Sequence, residues 1–380
     1  MRILQVVPSL IRGGAERLVL NLTRELELQG HEVKIFALHD ENLYRSLDST
    51  TEVVITPARV SYSLLGRDTS DTEGFDRAVS DFDPDIIHSH LIEAEFISRH
   101  RPYYPAVYIS HWHGCPEMLR KVPLSAFVKK DTWWNWNAKR NLIRGYYKCN
   151  NHFLCISEFM QGWVMEHLEA KRKQCSIIAN AVDTALFHPV EMECDSSTFH
   201  LIAVGKLNYN KNQQFLIKVV AELQKLGVVS ELTLLGSGAE EAKLKELATE
   251  LGVCERIHFP GTVDHPEIYL SRADVLVHSS HYEAFGLVLL EAMACGKPVV
   301  CFSDGGPSEV VVDGHNGFMV KRDDLKGFSE AVATLAKNKD LYAKLSGNSL
   351  EFSQKYGLRQ YAEKVVGLYE RLLAERKATS

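Results

Sequence analysis

The eight cysteines contain no Cys-x-x-Cys pair, and their spacings suggest no framework of bridges. Reduced, mostly buried thiols of a cytosolic protein are therefore expected rather than a disulfide scaffold. No apolar run approaches the ~20 residues of a spanning helix. The apolar stretch inside Met1–Pro8 is too short for a secretory signal, so any membrane association is expected to be peripheral. Basic residues are not in excess: the net charge of −6 gives no support to a nucleic-acid binder. Low-complexity segments and short repeats are missing, as is an Asp-x-Asp pair in a convincing setting at a strand end. No complete G-x-G-x-x-G occurs either. Gly13-Gly14 lacks that order, and Gly236-Ser-Gly238 has Glu241 at the third position, which disfavours a nicotinamide dehydrogenase.

What is present is an α/β pattern repeated in two halves. At 380 residues the chain exceeds the ~250 that one core usually reaches, so two domains are expected. Arg2–Val7 reads as a first parallel strand and Gly13-Gly14 as the loop after it. Glu16–Gln29 reads as an amphipathic helix, with apolar Leu18, Leu20, Leu22, Leu26 and Leu28 set among charges; Gly30 stops it, and Glu32–Leu38 is the next strand. Strand, glycine loop, helix, strand is the βαβ unit of a doubly wound sheet. Further strands are expected at Val53–Ile55, Asp85–His88, Ala106–Ser110 and Phe153–Ser157. The chain starts afresh at Phe199–Leu207, with strands to follow from Leu232, Ile257, Ala273 and Pro298. The boundary is placed near 186–198, giving domains 1–190 and 191–355, and 356–380 is a last helix.

The chemistry-bearing residues concentrate between His281 and Gly317. Glu283 sits on a loop before a helix read from Gly286 to Ala294, and Glu291 lies within that helix. Eight helical steps rotate by roughly 80° net, so the two carboxylates stack only if Glu283 lies outside the helix. Gly296 and Pro298 end it, and Pro307 fits the first turn of another helix after Ser303–Gly306. Two glycine-bearing turns before helix starts offer unpaired N–H groups to a phosphate or a sugar edge. Lys206 and Lys211 follow the strand that ends at Gly205, well placed to balance a diphosphate.

His88-Ser-His90 and His111-Trp-His113 each put two imidazoles on one strand face. An H-x-H pair can ligate zinc, but no cysteine or carboxylate stands beside either at a persuasive spacing, and the reading is no metal site. Residues 123–148 interleave Trp133, Trp134, Trp136, Tyr146 and Tyr147 with Lys129, Lys130, Lys139, Arg140, Arg144 and Lys148. Such a surface rests on an anionic membrane or grips a lipid diphosphate, or packs its rings inward and lets its cations snorkel; stacking of nucleic-acid bases is a third reading, weakened by the overall acidity.

The run from Glu283 to Pro298 resembles the E-x7-E signature of retaining glycosyltransferases of family 4 (glycosyltransferase group 1). Gly305-Gly-Pro-Ser-Glu309 and Asp313-Gly-His-Asn-Gly317 continue the pattern. The resemblance covers nearly the whole chain and implies the GT-B fold: two Rossmann-like domains facing a central cleft, with a C-terminal helix crossing back to the first. It implies an acceptor-binding first domain and a nucleotide-sugar-binding second one. By the same resemblance, Glu283 contacts the donor sugar, Glu291 the ribose, and Ala284, Phe285, Gly286 and Leu287 line the donor. Gly13, Gly14, Gly205, Gly236 and Gly238 let the backbone approach it. Lys206 and Lys211 neutralise the diphosphate, so no metal and no cofactor are needed. Lys206 replaces the family's usual arginine and loses its two-pronged fork. His113 orients the reacting sugar, and Ser157 and Asn180 are acceptor-side candidates; Ala181 departs from the family's Asn-Gly-Val-Asp. The partners implied are a nucleotide-sugar, UDP-linked before GDP-mannose, and a glycan or lipid-linked oligosaccharide of a surface polysaccharide. The expected place is the cytoplasm, at the inner face of the cytoplasmic membrane if residues 123–148 make contact. An epimerase or hydrolase of the same fold, and a non-catalytic nucleotide-sugar-binding protein, stay open.

Overall fold

The computed structural model describes residues 1–11, 13–41, 51–61, 69–120, 130–190 and 198–378. The first half runs β1 (Arg2–Val7), α1 (Gly14–Leu28), β2 (Glu32–Ala37), β3 (Glu52–Ile55), then an antiparallel pair, β4 (Arg59–Ser61) and β5 (Thr69–Asp71). It continues through α2 (Glu73–Phe82), β6 (Ile86–His90), α3 (Ile92–His100), β7 (Val107–Trp112), α4 (Lys130–Lys148), β8 (His152–Cys155), α5 (Glu158–Leu168) and β9 (Cys175–Ile177). The second half runs β10 (Phe199–Val204), α6 (Gln213–Lys225), β11 (Ser230–Leu235), α7 (Glu241–Glu250), β12 (Ile257–Gly261) and α8 (Pro266–Arg272). After these come β13 (Val275–His278), α9 (Leu287–Ala294), β14 (Val299–Phe302), β15 (Gly317–Val320), α10 (Leu325–Lys337), α11 (Lys339–Ser353) and α12 (Leu358–Lys377). Among the described residues no helix is long and apolar enough to cross a membrane.

The chain forms two units, Met1–Asn180 with Leu358–Ser380, and Ala181–Gly357. The division falls at Asn180, earlier than the expected 190, because the next residues are tied into the second unit. The Val182 amide donates to the Tyr356 carbonyl at 2.8 Å, and Phe187 is buried. Residues 191–197, read as the linker, lie outside the described residues.

Both large sheets are all-parallel. The first has the order β3-β2-β1-β6-β7-β8-β9 and the second β12-β11-β10-β13-β14-β15. In each, the first strand sits between one that follows it directly and one that comes after a reversal, β1/β6 and β10/β13. The crevice at the carboxyl ends of such a pair is where open α/β sheets take ligands. Strands covered on both faces must be apolar throughout, and Val275–Val277 and Val299–Cys301 are fully buried runs of that kind. Phe215 of α6, Phe302 of β14 and Phe328 of α10 lock the second core edge to face, with ring centroids 4.9–5.9 Å apart.

The expected helix after Pro307 is a 3-10 turn of four residues, Gly306–Glu309. The amides of Val310 and Val311 both fold back onto the Pro307 carbonyl, and both side chains are buried, which stops the helix after one turn.

The first unit buries charge under its sheet. Ser89 of β6 and Ser110 of β7 face α3, where Arg99 and Glu95 are each 1% exposed and stand 3.6 Å apart. Arg99 donates to Asn151 Oδ1 at 2.7 Å and to Ser110 Oγ at 3.0 Å, while Ser110 donates to Glu95 at 2.6 Å. Removing one partner of such a pair leaves the other charged and dry. Arg99→Ala is therefore expected to lower unfolding free energy by about 3–5 kcal/mol in a urea titration; a loss below 1 kcal/mol would mean water reaches the site.

Candidate functional site

In the second unit the loop after β10 and the loop after β13 are stitched together. Just past the end of β10 comes Gly205, whose φ of +146° suits glycine, and the chain then makes a 3-10 turn at Tyr209–Lys211. Asn208 caps that turn, accepting from the Lys211 amide at 3.0 Å. Ser279, just past β13, donates to the carbonyls of Lys211 at 3.1 Å and Asn212 at 2.9 Å. The His281 amide donates to the Asn210 carbonyl at 2.8 Å, and the Asn210 side chain returns a bond to the Tyr282 carbonyl at 2.9 Å.

These ties bring Lys211 Nζ within 2.6 Å of Glu283 Oε2, and His278 Nε2 lies 3.3 Å from the same oxygen. Burial alone would push the Glu283 carboxyl up. The Lys211 ammonium and His278 outweigh it and hold the carboxyl well below its usual range. Burial pushes the His278 ring down against the pull of Glu283, so it stays neutral. The result is a fixed carboxylate at the carboxyl end of β13, beside the strand reversal.

The glycines around it act by allowing close backbone approach. A Cβ on Gly306 would collide with the Ala284 carbonyl, and one on Gly305 would come within 2.8 Å of the Glu283 carbonyl. The Gly306 amide donates to that carbonyl at 3.0 Å, so the loop after β14 braces the Glu283 loop. Gly286 enters α9 with φ +88°, and Ala284 and Phe285 are buried beneath it. Leu287 opens α9, with Glu291 half-buried on its second turn. Gly236 (φ +135°) and Gly238 seat the loop after β11 against the carbonyls of Gly205 and Leu207.

Lys206 is not brought to this carboxylate; it is exposed on the loop and forms no ion pair among the described residues. Lys211, expected to face a diphosphate, is engaged by Glu283. The sequence reading missed His278 and Arg322. Arg322 donates to the His281 carbonyl at 2.7 Å and pairs with Asp304 at 2.9 Å. An imidazole closing the buried run Val275-Leu-Val-His278 was the available signal for the first; Arg322 had none.

The first unit has its own cavity, of about 610 Å³, at the β1/β6 reversal. Pro8, Ser9 and Glu16 wall one side, and His111, His113 and Gly114 another. Gly13 is extended here, and its missing Cβ leaves room for the Glu16 carboxylate; Gly14 begins α1 and is exposed. His113 is held neutral by burial of its ring nitrogens, with Nε2 3.0 Å from His90 Nδ1. Ser157 caps α5, accepting from the Met160 amide at 3.0 Å. Asn180 is buried, with its amide oxygen unpartnered.

Comparison with known proteins places this geometry. The model described as Glycosyl transferases group 1 matches residues 192–352, and that of Glycosyltransferase Family 4 matches residues 12–186. A glycogen synthase of Mycobacterium tuberculosis is 26% identical over 88% of this chain and 86% of its own. The lipopolysaccharide core biosynthesis glycosyltransferase LpsD of Rhizobium meliloti is 26% identical, covering 96% of this chain and 97% of its own. Among solved structures, Anabaena HepE in complex with UDP superposes with a TM-score of 0.77 at 19% identity, covering 98% of this chain and 100% of that one.

The depressed Glu283 pKa fixes a sign. A carboxyl whose folded value lies below the unfolded one, about 4.3, adds stability that is complete above that pH and fades as pH falls beneath it. Lys211→Met removes the main stabilising charge. The gap in melting temperature between the parent and Lys211→Met should thus be widest above pH 5 and shrink toward pH 3. A gap independent of pH would show that the ammonium does not stabilise the carboxylate.

Proposed function

Because the chain belongs to the group 1/family 4 glycosyltransferases, with the α/β GT-B fold of two Rossmann-like units, we propose that it moves a hexosyl or N-acetylhexosaminyl group from a UDP-sugar to a glycan or lipid-linked acceptor, with retention at the anomeric carbon. The observation that carries the reading is Glu283, kept ionised between Lys211 and His278 at the reversal of the second sheet. A fixed carboxylate is a strong acceptor for sugar hydroxyls. When a donor enters, Lys211 shares its charge between Glu283 and the diphosphate, and Lys206 swings in from solvent as the second cation. The opening amides of α9 add donors to the phosphate. Stabilising the departing diphosphate in this way lowers the barrier without a metal. The leaving phosphate takes the acceptor proton, while His113 in the first unit orients the acceptor by hydrogen bonding.

UDP is favoured as the nucleotide because HepE, of like fold, was crystallised with UDP and with UDP-glucose. A surface-glycan acceptor is favoured by the LpsD relative and by α4. That helix exposes Trp133, Trp134 and Trp136 beside Arg140, whose guanidinium lies 5.4 Å from the Trp136 ring. Buried Ala138, Leu142 and Tyr146 take the opposite face, so the rings and cations face outward together, as peripheral contact with anionic lipid requires. Residues 121–129, the start of that basic stretch, lie outside the described residues.

Glu283→Gln should cut turnover of UDP-sugars by about 10²–10³-fold, and NMR of the product formed from an α-linked donor should show an α linkage. A β product would overturn retention, and turnover of GDP-mannose alone would overturn the UDP assignment. The protein should sediment with vesicles rich in phosphatidylglycerol and lose that binding in Trp133→Ser/Trp136→Ser; equal binding to neutral vesicles would remove the lipid contact.

A further inference from the structure

Four histidines of the first unit share one face of its sheet. His90 of β6 is in register with His111 of β7, and alternation puts His88 and His113 on the same side. The rings pack as a block: His88 lies 4.3 Å from His90 and 5.2 Å from His111, and His111 lies 4.0 Å from His113. His88, His90 and His111 each offer a ring nitrogen within 4.8 Å of the others, and all three are at most 1% exposed. From these positions we propose that His88, His90 and His111 bind one divalent transition-metal ion of the zinc, cobalt or nickel type, independently of the sugar-nucleotide reading.

Unpaired atoms point to a ligand. Both ring nitrogens of His111 are buried without a hydrogen-bond partner, as are Nε2 of His88 and Nδ1 of His113. A neutral imidazole always has one N–H to donate and one lone pair, so a buried ring with no partner leaves both unmet. Metal coordination absorbs the lone pairs.

Outer partners already orient two of the rings, as metal-bound histidines require. Tyr369 of α12 lies 2.6 Å from His88 Nδ1, leaving Nε2 open. Gln5 Oε1 of β1 lies 2.6 Å from His90 Nε2, which sets the proton there; the lone pair is then on Nδ1, which faces His113 Nε2 at 3.0 Å, a contact that the ion would replace. Imidazole nitrogens suit zinc, cobalt, nickel and copper, and exclude magnesium and calcium. The rings must draw inward to reach bonds of about 2.0–2.1 Å.

An entry path exists and carries the right charge. His111 and His113 line the 610 Å³ cavity, and Glu16, Glu41 and Glu93 stand on its walls. Neutral ligands leave the ion's two positive charges uncompensated, and these carboxylates offset them across the cavity. Separate sequence pairs, neither completed by a nearby cysteine or carboxylate, become one site only when β6 and β7 lie side by side.

The test uses the full chain stripped with chelator and titrated with cobalt. The expected result is saturation at one equivalent with visible d–d absorption, displacement by zinc, and an X-ray absorption shell of at least three imidazole nitrogens. Tyr369→Phe, which keeps the fold but removes the outer bond to His88, should weaken cobalt binding about 10–100-fold. His111→Asn should weaken it further. His258→Asn, an exposed histidine of the second unit paired with Glu231, should leave it unchanged. No stoichiometric cobalt on the parent protein, or a shell of oxygen or sulfur, would overturn the proposal, as would full binding by folded His111→Asn. The parent's absorption shell decides the matter if His111→Asn fails to fold.

Discussion

A carboxylate removed from water has to be neutralised, protonated or paired, and in the second unit that requirement shapes everything near the strand reversal. Glu283 is paired, by Lys211 from the other side of the reversal, and the pairing makes two loops into one surface. Ser279, Asn208 and Asn210 each spend a hydrogen bond holding the lysine-bearing turn where the ammonium can reach. Gly305 and Gly306 then let a third loop close underneath without side chains in the way. The ion pair costs desolvation of both partners, and the surrounding bonds offset that cost by fixing the geometry before any ligand arrives. A site preorganised in this manner presents charge to a substrate rather than rearranging to find it.

The two units solve the same topological problem with different chemistry. Parallel strands buried on both faces demand apolar side chains until the strand ends, so polar groups collect at the carboxyl termini. In the second unit that collection is small and charged. In the first it is a block of neutral rings above the sheet and a buried Arg99–Glu95 network below it. Ser89 and Ser110 alternate with His88, His90 and His111 along the same two strands.

Much of this was legible in the residues. β1 was read at its observed bounds, and β13 and β14 within a few residues, because buried parallel strands are continuous apolar runs with glycine or proline at their ends. Glu283 ahead of α9 was legible too, since Gly286 in a left-handed conformation stops the helix extending back to it. Other features depend on long-range pairing, which spacing does not encode. Lys206 and Lys211 look alike in sequence, yet only Lys211 is on the turn that Asn208 caps toward Glu283. His278 and Arg322 become relevant through loops brought together by strand order. The helix expected from Pro307 failed because Val310 and Val311 had a core to fill, and tertiary burial overrode a good helix start.

The helix that covers His88 follows the whole second unit in sequence, although it belongs to the first. During synthesis the opening half therefore emerges without the Tyr369 hydroxyl, its ring surface uncovered, and waits until the second lobe has been made and α12 has left the ribosome. Maturation of the earlier-made lobe is thereby tied to passage through the later one, and a product cut short before α12 carries an unfinished first lobe whether or not its second lobe is whole.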